Sequence, residues 1–244
     1  MEYKRVGKQI KENIVFLPGL LCDKNLFDFQ IRLFEKNFNC FVPEYPNSTK
    51  LNSIVDSVIE EIPFKEYHLI CLSMGGYLAF ELIKTQLEKI KKIALLNTKI
   101  REDTDEEKQK RIKFINASLS NSRFYPISKV VISTLIGRSS QNNIKLIKQI
   151  REMAARVGKE KYISHQKAIL DRKLDIDYFK KIKKNFLIIG GDEDMITPKD
   201  DALFLSKIFK DSKLIIIKKC GHLSSMEKPL LTYKYLKEFL NPMR

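Results

Sequence analysis

Nowhere in this chain of 244 residues does an apolar run reach the ~18–20 residues needed to cross a bilayer. A membrane span is therefore not expected. The N-terminal stretch MEYKRVGKQIKENIVFLPGLLC does place basic residues ahead of a short apolar segment, the outline of a secretory leader. Glu2 and Glu12 interrupt its basic part, Pro18-Gly19 breaks its apolar part, and no small-x-small cleavage site follows. It reads instead as strand and loop of the fold. Cysteine is scarce too: four residues, at positions 22, 40, 71 and 220, with no C-x-x-C pair and no His/Cys cluster at zinc-ligand spacing. Reduced thiols in a cytoplasmic protein, without metal or cofactor, are the expectation.

What is abundant is lysine. The formal charge is +15, but the excess is scattered along the chain, with no continuous basic stripe and no basic–aromatic repeat. A nucleic-acid partner is not expected from such a distribution. It reads as a solvated surface with a weak attraction for anionic surfaces or substrates. At 43% hydrophobic residues, the chain has enough apolar material for a real core.

The apolar residues fall into an alternating pattern. NIVFLPG (13–19), CFVPEYP (40–46), YHLICL (67–72) and KKIALLNT (91–98) read as strands. Between them, NLFDFQIRLFEKN (25–37), LNSIVDSVIEEI (51–62) and YLAFELIKTQLEK (77–89) have helical spacing. Strands that are continuous apolar runs, alternating with helices, predict an α/β protein with a mostly parallel, doubly wound sheet. From residue 99 to 177 the strands stop. EDTDEEKQKRIKFINASLS, with Thr104 as cap, then SKVVISTLIG, NNIKLIKQIREMAARVG and EKYISHQKAIL all read as helices. The alternation resumes with strand NFLIIGG (185–191), helix PKDDALFLSKIFK (198–210), strand KLIIIKK (213–219) and helix PLLTYKYLKEFL (229–240). The expected organisation is a core domain of residues 1–98 and 178–244 with an all-helical insertion at 99–177.

Glycine is rare, and its placement is informative. Of nine glycines, six stand at strand ends: Gly19, Gly75, Gly76, Gly190, Gly191 and Gly221. Ligands of doubly wound sheets bind at the carboxyl ends of the strands. One of these ends reads CLSMGG, with Ser73 between a strand and a helix. A serine on a sharp strand-to-helix turn needs small neighbours two residues before and two after, the G-x-S-x-G elbow. Here the pattern is C-x-S-x-G, with Cys71 in place of the first glycine.

A serine hydroxyl needs a base, and the base needs an orienting carboxylate. Three histidines are available. His68 lies inside a strand and reads as structural; His165 falls in the insertion, on a helix surface. His222 follows the last strand in KKCGHLSSMEKP and is the candidate base. The acid is expected in GGDEDMITP, where Asp192, Glu193 and Asp194 compete. The order serine, acid, histidine, each at a strand end, is that of a known hydrolase arrangement.

With LPGLLCD, LSMGGYLAFELI, IALLNT, MAARVG and CGHLSSMEKP, nearly the whole chain resembles the α/β-hydrolase superfamily. Within it, the likeness is to small bacterial esterase-like α/β-fold hydrolases with a helical cap. The family's acid loop, G-x-x-D-x-x-x-P, falls on Gly191, Asp194 and Pro198, so the resemblance selects Asp194. It implies that the insertion is a cap and that Ser73, Asp194 and His222 form a triad. It also implies an oxyanion hole from the Met74 N–H and a donor in LPGLLCD, Leu20 with Leu21 as rival. Pro18-Gly19 departs from the His-Gly common there, but the donor is a main-chain group. The implied activity is hydrolysis of a small-molecule carboxylic ester. Lactone, thioester or carrier-bound methyl-ester hydrolysis is the alternative, with an acidic acyl-carrier protein as a partner; an inactive binding module is a further one.

Overall fold

The protein is described here by a computed structural model covering residues 11–120, 124 and 127–241; the basic stretch 1–10 lies outside the described residues, as do 121–123, 125–126 and 242–244. Six strands form one sheet: β1 (Glu12–Leu17), β2 (Phe38–Phe41), β3 (Tyr67–Leu72), β4 (Ile90–Leu96), β5 (Asn185–Gly191) and β6 (Ser212–Ile217). Their order is β2-β1-β3-β4-β5-β6, and every neighbouring pair is parallel. The helices in chain order are α1 (Asp28–Phe34), α2 (Leu51–Glu61), α3 (Met74–Gln86), α4 (Asp105–Ser120), α5 (Lys129–Leu135), α6 (Ile144–Leu170), α7 (Ile176–Phe179), α8 (Lys199–Ile208), α9 (Ser224–Glu227) and α10 (Pro229–Leu240).

Continuous apolar strands are explained by what covers them. Side chains alternate faces along a strand. Val15, Leu17, Leu69, Cys71, Ile93, Leu95 and Ile188 join one cluster, under α2, α3 and α8. Ile14, Phe16, Ile70, Leu72, Ala94, Leu96 and Ile189 join the other, with α1, α10 and the start of α6. Both faces are covered, so the apolar positions run on without a polar alternation; His68 in β3 is a buried polar exception. Each fully buried Ile, Leu or Val contributes about 1.5–3 kcal/mol relative to exposure.

Several boundaries differ from the sequence reading. The strand expected at 40–46 lies at Phe38–Phe41 instead. Pro43 and Pro46 lack the N–H a ladder needs, so they follow the strand rather than belong to it. Helix α3 begins at Met74 and so takes in Gly75 and Gly76, ahead of the 77–89 run that has helical spacing. The span α6 does hold the two helices expected from 142 to 170: they part at Gly158, where φ 83° and ψ 172° leave helical geometry. Thr104 does cap α4: its hydroxyl accepts the Glu107 N–H at 3.3 Å, and the Glu107 carboxylate accepts the Thr104 N–H at 2.9 Å. No described helix is long and apolar enough to cross a membrane.

Candidate active site

Ser73 occupies the turn between β3 and α3 at φ 54° and ψ −116°. A non-glycine residue held there costs on the order of 1–3 kcal/mol, so its surroundings must fix it. They do so from three sides. The Ser73 N–H donates to Leu96 O at 3.0 Å, while its carbonyl accepts the Gly76 N–H and the Thr98 hydroxyl, each at 2.8 Å. Gly75 is required by crowding: a Cβ there would stand 2.0 Å from the Leu17 carbonyl oxygen. Cys71, two residues before the serine, is wholly buried in the cluster beneath α3. Burial pushes its thiol well above the ordinary 9.0, so it is a packing residue and no nucleophile.

His222 arrives from the loop after β6. Its Nε2 lies 2.8 Å from Ser73 Oγ, and its Nδ1 lies 2.9 and 3.1 Å from the two Asp194 oxygens. The His222 N–H donates to Leu135 O at 2.9 Å. Glu227 fixes the same loop, its carboxylate accepting the N–H of Gly221 at 2.9 Å and that of Gly137 at 2.7 Å. Asp194 is completely surrounded by donors. Asn97 Nδ2 donates at 2.9 Å, the Thr197 hydroxyl at 2.8 Å, and the N–H groups of Ile196 and Thr197 at 2.8 and 2.9 Å. Burial works to raise its pKa; the imidazole, Asn97 and Thr197 outweigh that and hold it below the ordinary 3.8.

The competing acids are committed elsewhere. Asp192 accepts the Cys220 N–H at 3.4 Å, and Glu193 accepts the Arg138 N–H at 2.6 Å. His68 is buried within β3, with Nε2 3.4 Å from the partly exposed Glu12 carboxylate. The reading of His165 as a helix-surface residue is corrected: it is 2% exposed, and its Nε2 lies 2.9 Å from Pro46 O. A polar ring can be buried there because the carbonyl satisfies it.

The turn after β1 closes over the serine. The Cys22 N–H donates to Gly19 O at 3.1 Å, with Leu21 at φ 58°, and a Cβ on Gly19 would lie 3.3 Å from Ser73 Cβ. This turn uses neither the Leu20 nor the Leu21 N–H. Among the described residues, those two groups and the Met74 N–H have no protein acceptor. Leu20, Leu21, Ser73 and His222 line one cavity of ≈ 280 Å³. Its apolar wall includes Val131 and Leu135 from the SKVVISTLIG segment, together with Ile150 and Met153. Ile132 and Ile136 of that segment turn into the core instead, so the run is part lining and part packing.

The opposite character appears where the cavity meets α4. Lys99, 2% exposed, donates to Asp103 at 2.8 Å and to Glu107 at 2.7 Å. Arg172 pairs with Asp103 at 2.7 Å and lies over the Tyr77 ring, 4.4 Å from its centroid. Arg101 bridges Glu107 and Asp201 at 2.8 and 2.7 Å. Reading the lysines as uniformly solvated missed this network, as it missed Asn97 and Thr197. The only sequence signal was position: Asn97 and Lys99 follow directly on β4.

The chain matches the model of a family described as alpha/beta hydrolase fold over residues 12–229. Monoacylglycerol lipase ABHD6 of Bos taurus is 22% identical over 94% of this chain and 75% of that protein. Among solved structures, a thermophilic esterase from Thermogutta terrifontis superposes with a TM-score of 0.86 at 20% identity, covering 94% of this chain and 89% of that one. The enol-lactonase from Burkholderia xenovorans gives a TM-score of 0.85 at 18% identity, covering 97% and 93%.

Proposed function

The chain belongs to the alpha/beta hydrolase fold family, and from that premise we propose that it is a serine hydrolase cleaving a carboxylic ester of a small or medium acyl substrate. The observation that carries this reading is the continuous contact from Ser73 Oγ to His222 Nε2 at 2.8 Å and on from Nδ1 to Asp194 at 2.9 Å. Relatives named esterase, lipase and enol-lactonase support an acyl C–O bond as the target.

In the proposed reaction, His222 Nε2 takes the Ser73 proton as Oγ attacks the ester carbonyl carbon. The carbonyl oxygen becomes negative and is held by the N–H groups of Leu20 and Met74. Met74 opens α3, whose dipole adds to that stabilisation. His222 then protonates the leaving alcohol, and the acyl group stays on Ser73. Water, deprotonated by His222, releases the acid and restores the serine. Asp194 stays ionised, fixing the imidazole tautomer and stabilising its charged form. Residues 1–98 and 178–244 carry this machinery, and the helices of 99–177 act as a cap roofing the cavity.

A cavity of ≈ 280 Å³ suits a compact substrate. An acidic acyl-carrier protein would suit the excess of lysine as the acyl donor, and four free thiols suit the reducing cytoplasm. The direct test is Ser73→Ala, expected to lower hydrolysis of a p-nitrophenyl ester on the order of 10⁴-fold or more. A normal rate in that variant overturns the assignment.

A further inference from the structure

Helix α4 presents one face to the cavity. Glu107, Lys110, Arg111 and Phe114 stand at i, i+3, i+4 and i+7, and all four line the space that contains Ser73 and His222. Lys99 lines it as well. The cavity therefore has an apolar wall and a charged one.

The charges on that wall do not cancel. In the lining and directly behind it, four cations, Lys99, Arg101, Arg111 and Arg172, meet three carboxylates, Asp103, Glu107 and Asp201. Four against three leaves one positive charge. Lys110 adds another, since it is exposed and makes no salt bridge among the described residues. The carboxylates are already saturated. Both Asp103 oxygens accept from Arg172, at 2.7 and 3.1 Å, and also from Lys99 at 2.8 Å and Arg111 at 2.6 Å. Both Glu107 oxygens accept from Arg101, at 2.8 and 3.0 Å.

Donor capacity, by contrast, is left over. Arg111 uses Nε on Asp103 at 2.6 Å and Nη1 on Gln166 Oε1 at 2.7 Å. Gln166 is itself held by its Nε2, which donates to the Tyr162 hydroxyl at 3.1 Å. Among the described residues, Arg111 Nη2 donates to nothing. A guanidinium fixed on two sides, with donors to spare in the lining of the cavity, is arranged to receive a planar anion.

We infer that the substrate is an ester carrying a second, ionised carboxyl group, a half-ester of a dicarboxylic acid, with the free carboxylate held by Arg111 and Lys110. This rests on the proposed serine hydrolase reading and specifies its substrate class. The reaction balances as ester plus water giving dicarboxylate, alcohol and one proton. The acyl C–O bond breaks, the alcohol oxygen takes a proton from His222, and water supplies the new carboxyl oxygen. The remote carboxylate is unchanged and serves to orient the acyl chain.

The test compares monoethyl adipate with its terminal primary amide, a neutral match in size, by following acid release; p-nitrophenyl acetate serves as a common reference. In the wild type, kcat/KM is expected to favour the carboxylate about ten-fold or more, the scale of a charge-assisted hydrogen bond. Arg111→Gln brings the ratio toward one, chiefly through KM for the carboxylate substrate. Lys110→Gln, at an exposed unpaired site that does not threaten folding, lowers it about two- to five-fold. Equal or inverted preference in the wild type, with Ser73-dependent p-nitrophenyl acetate hydrolysis intact, overturns the anion inference alone. A preference undiminished in both variants removes it from this wall. Loss of all Ser73-dependent hydrolysis overturns the enzyme reading and this inference with it.

Discussion

Asp103→Asn preserves the side chain's shape and removes its charge. Asp103 faces three cations, Lys99, Arg111 and Arg172, at 2.8, 2.6 and 2.7 Å. Lys99 keeps Glu107 as a partner, but Arg172, with 3% of its side chain exposed, loses its carboxylate altogether. The new amide also turns a donor toward a guanidinium or ammonium donor. Breaking a buried pair in this way costs about 3–5 kcal/mol. For a chain of this size each kcal/mol lowers Tm by about 2–4 °C, so the variant should melt about 6–20 °C below the wild type. Thermal unfolding followed by circular dichroism at neutral pH is the assay. An acid titration adds a second arm. Burial works to raise the Asp103 pKa, but hydrogen bonds from Arg172 and Arg111 hold it well below its ordinary 3.8. Burial opposes the lowering of Glu107 too, yet Arg101 and Lys99 bring it from 4.5 to about 2. Depressed folded-state values contribute stability above the unfolded pKa, and that stability is lost as pH falls through the folded one. The wild type should therefore lose stability between pH 4.5 and about 2, and Asp103→Asn should show a shallower acid limb. A Tm within about 2 °C of the wild type, below the loss expected from even 1 kcal/mol, would refute the view that this network binds the α4 region to the core.

Two more outcomes follow from the site. Asn97→Ala removes the amide that donates to Asp194 at 2.9 Å and to Gly221 O at 3.1 Å; ester kcat is expected to drop about ten-fold with little change in KM, and an unchanged kcat would deny Asn97 a positioning role. Gly75→Ala sets a Cβ 2.0 Å from a backbone oxygen that cannot swing away, so purified protein should lose more than about 3 kcal/mol in urea unfolding; near-native stability would contradict the elbow packing.

Much of the architecture was legible because the strands are buried on both faces. Tyr67–Leu72 and Asn185–Gly191 lie where their apolar runs put them. Local pattern did less well where a neighbour decides the outcome. Gly75 and Gly76 look like a turn in isolation, yet they lie in the first turn of α3, and Leu17, Pro18 and Thr98 stand where a Cβ on either would have to go. Spacing left three carboxylates open in GGDEDMITP; resemblance pointed to Asp194, and the contact with His222 comes from a loop 28 residues away. The charged wall was illegible for the same reason, since Asp103 meets Arg172 across 69 residues of chain and Arg101 meets Asp201 across 100. No short window contains either of these two pairs, although Lys99, Arg101, Asp103 and Glu107 lie close together in the chain.

The central claim is that Ser73 is a nucleophile activated by His222. It is tested most directly by treating the folded protein with a fluorophosphonate and mapping the adduct by peptide mass. The account predicts a single adduct on Ser73, formed far more slowly in His222→Ala. An unlabelled Ser73 in folded protein, or labelling at an undiminished rate without His222, would contradict it.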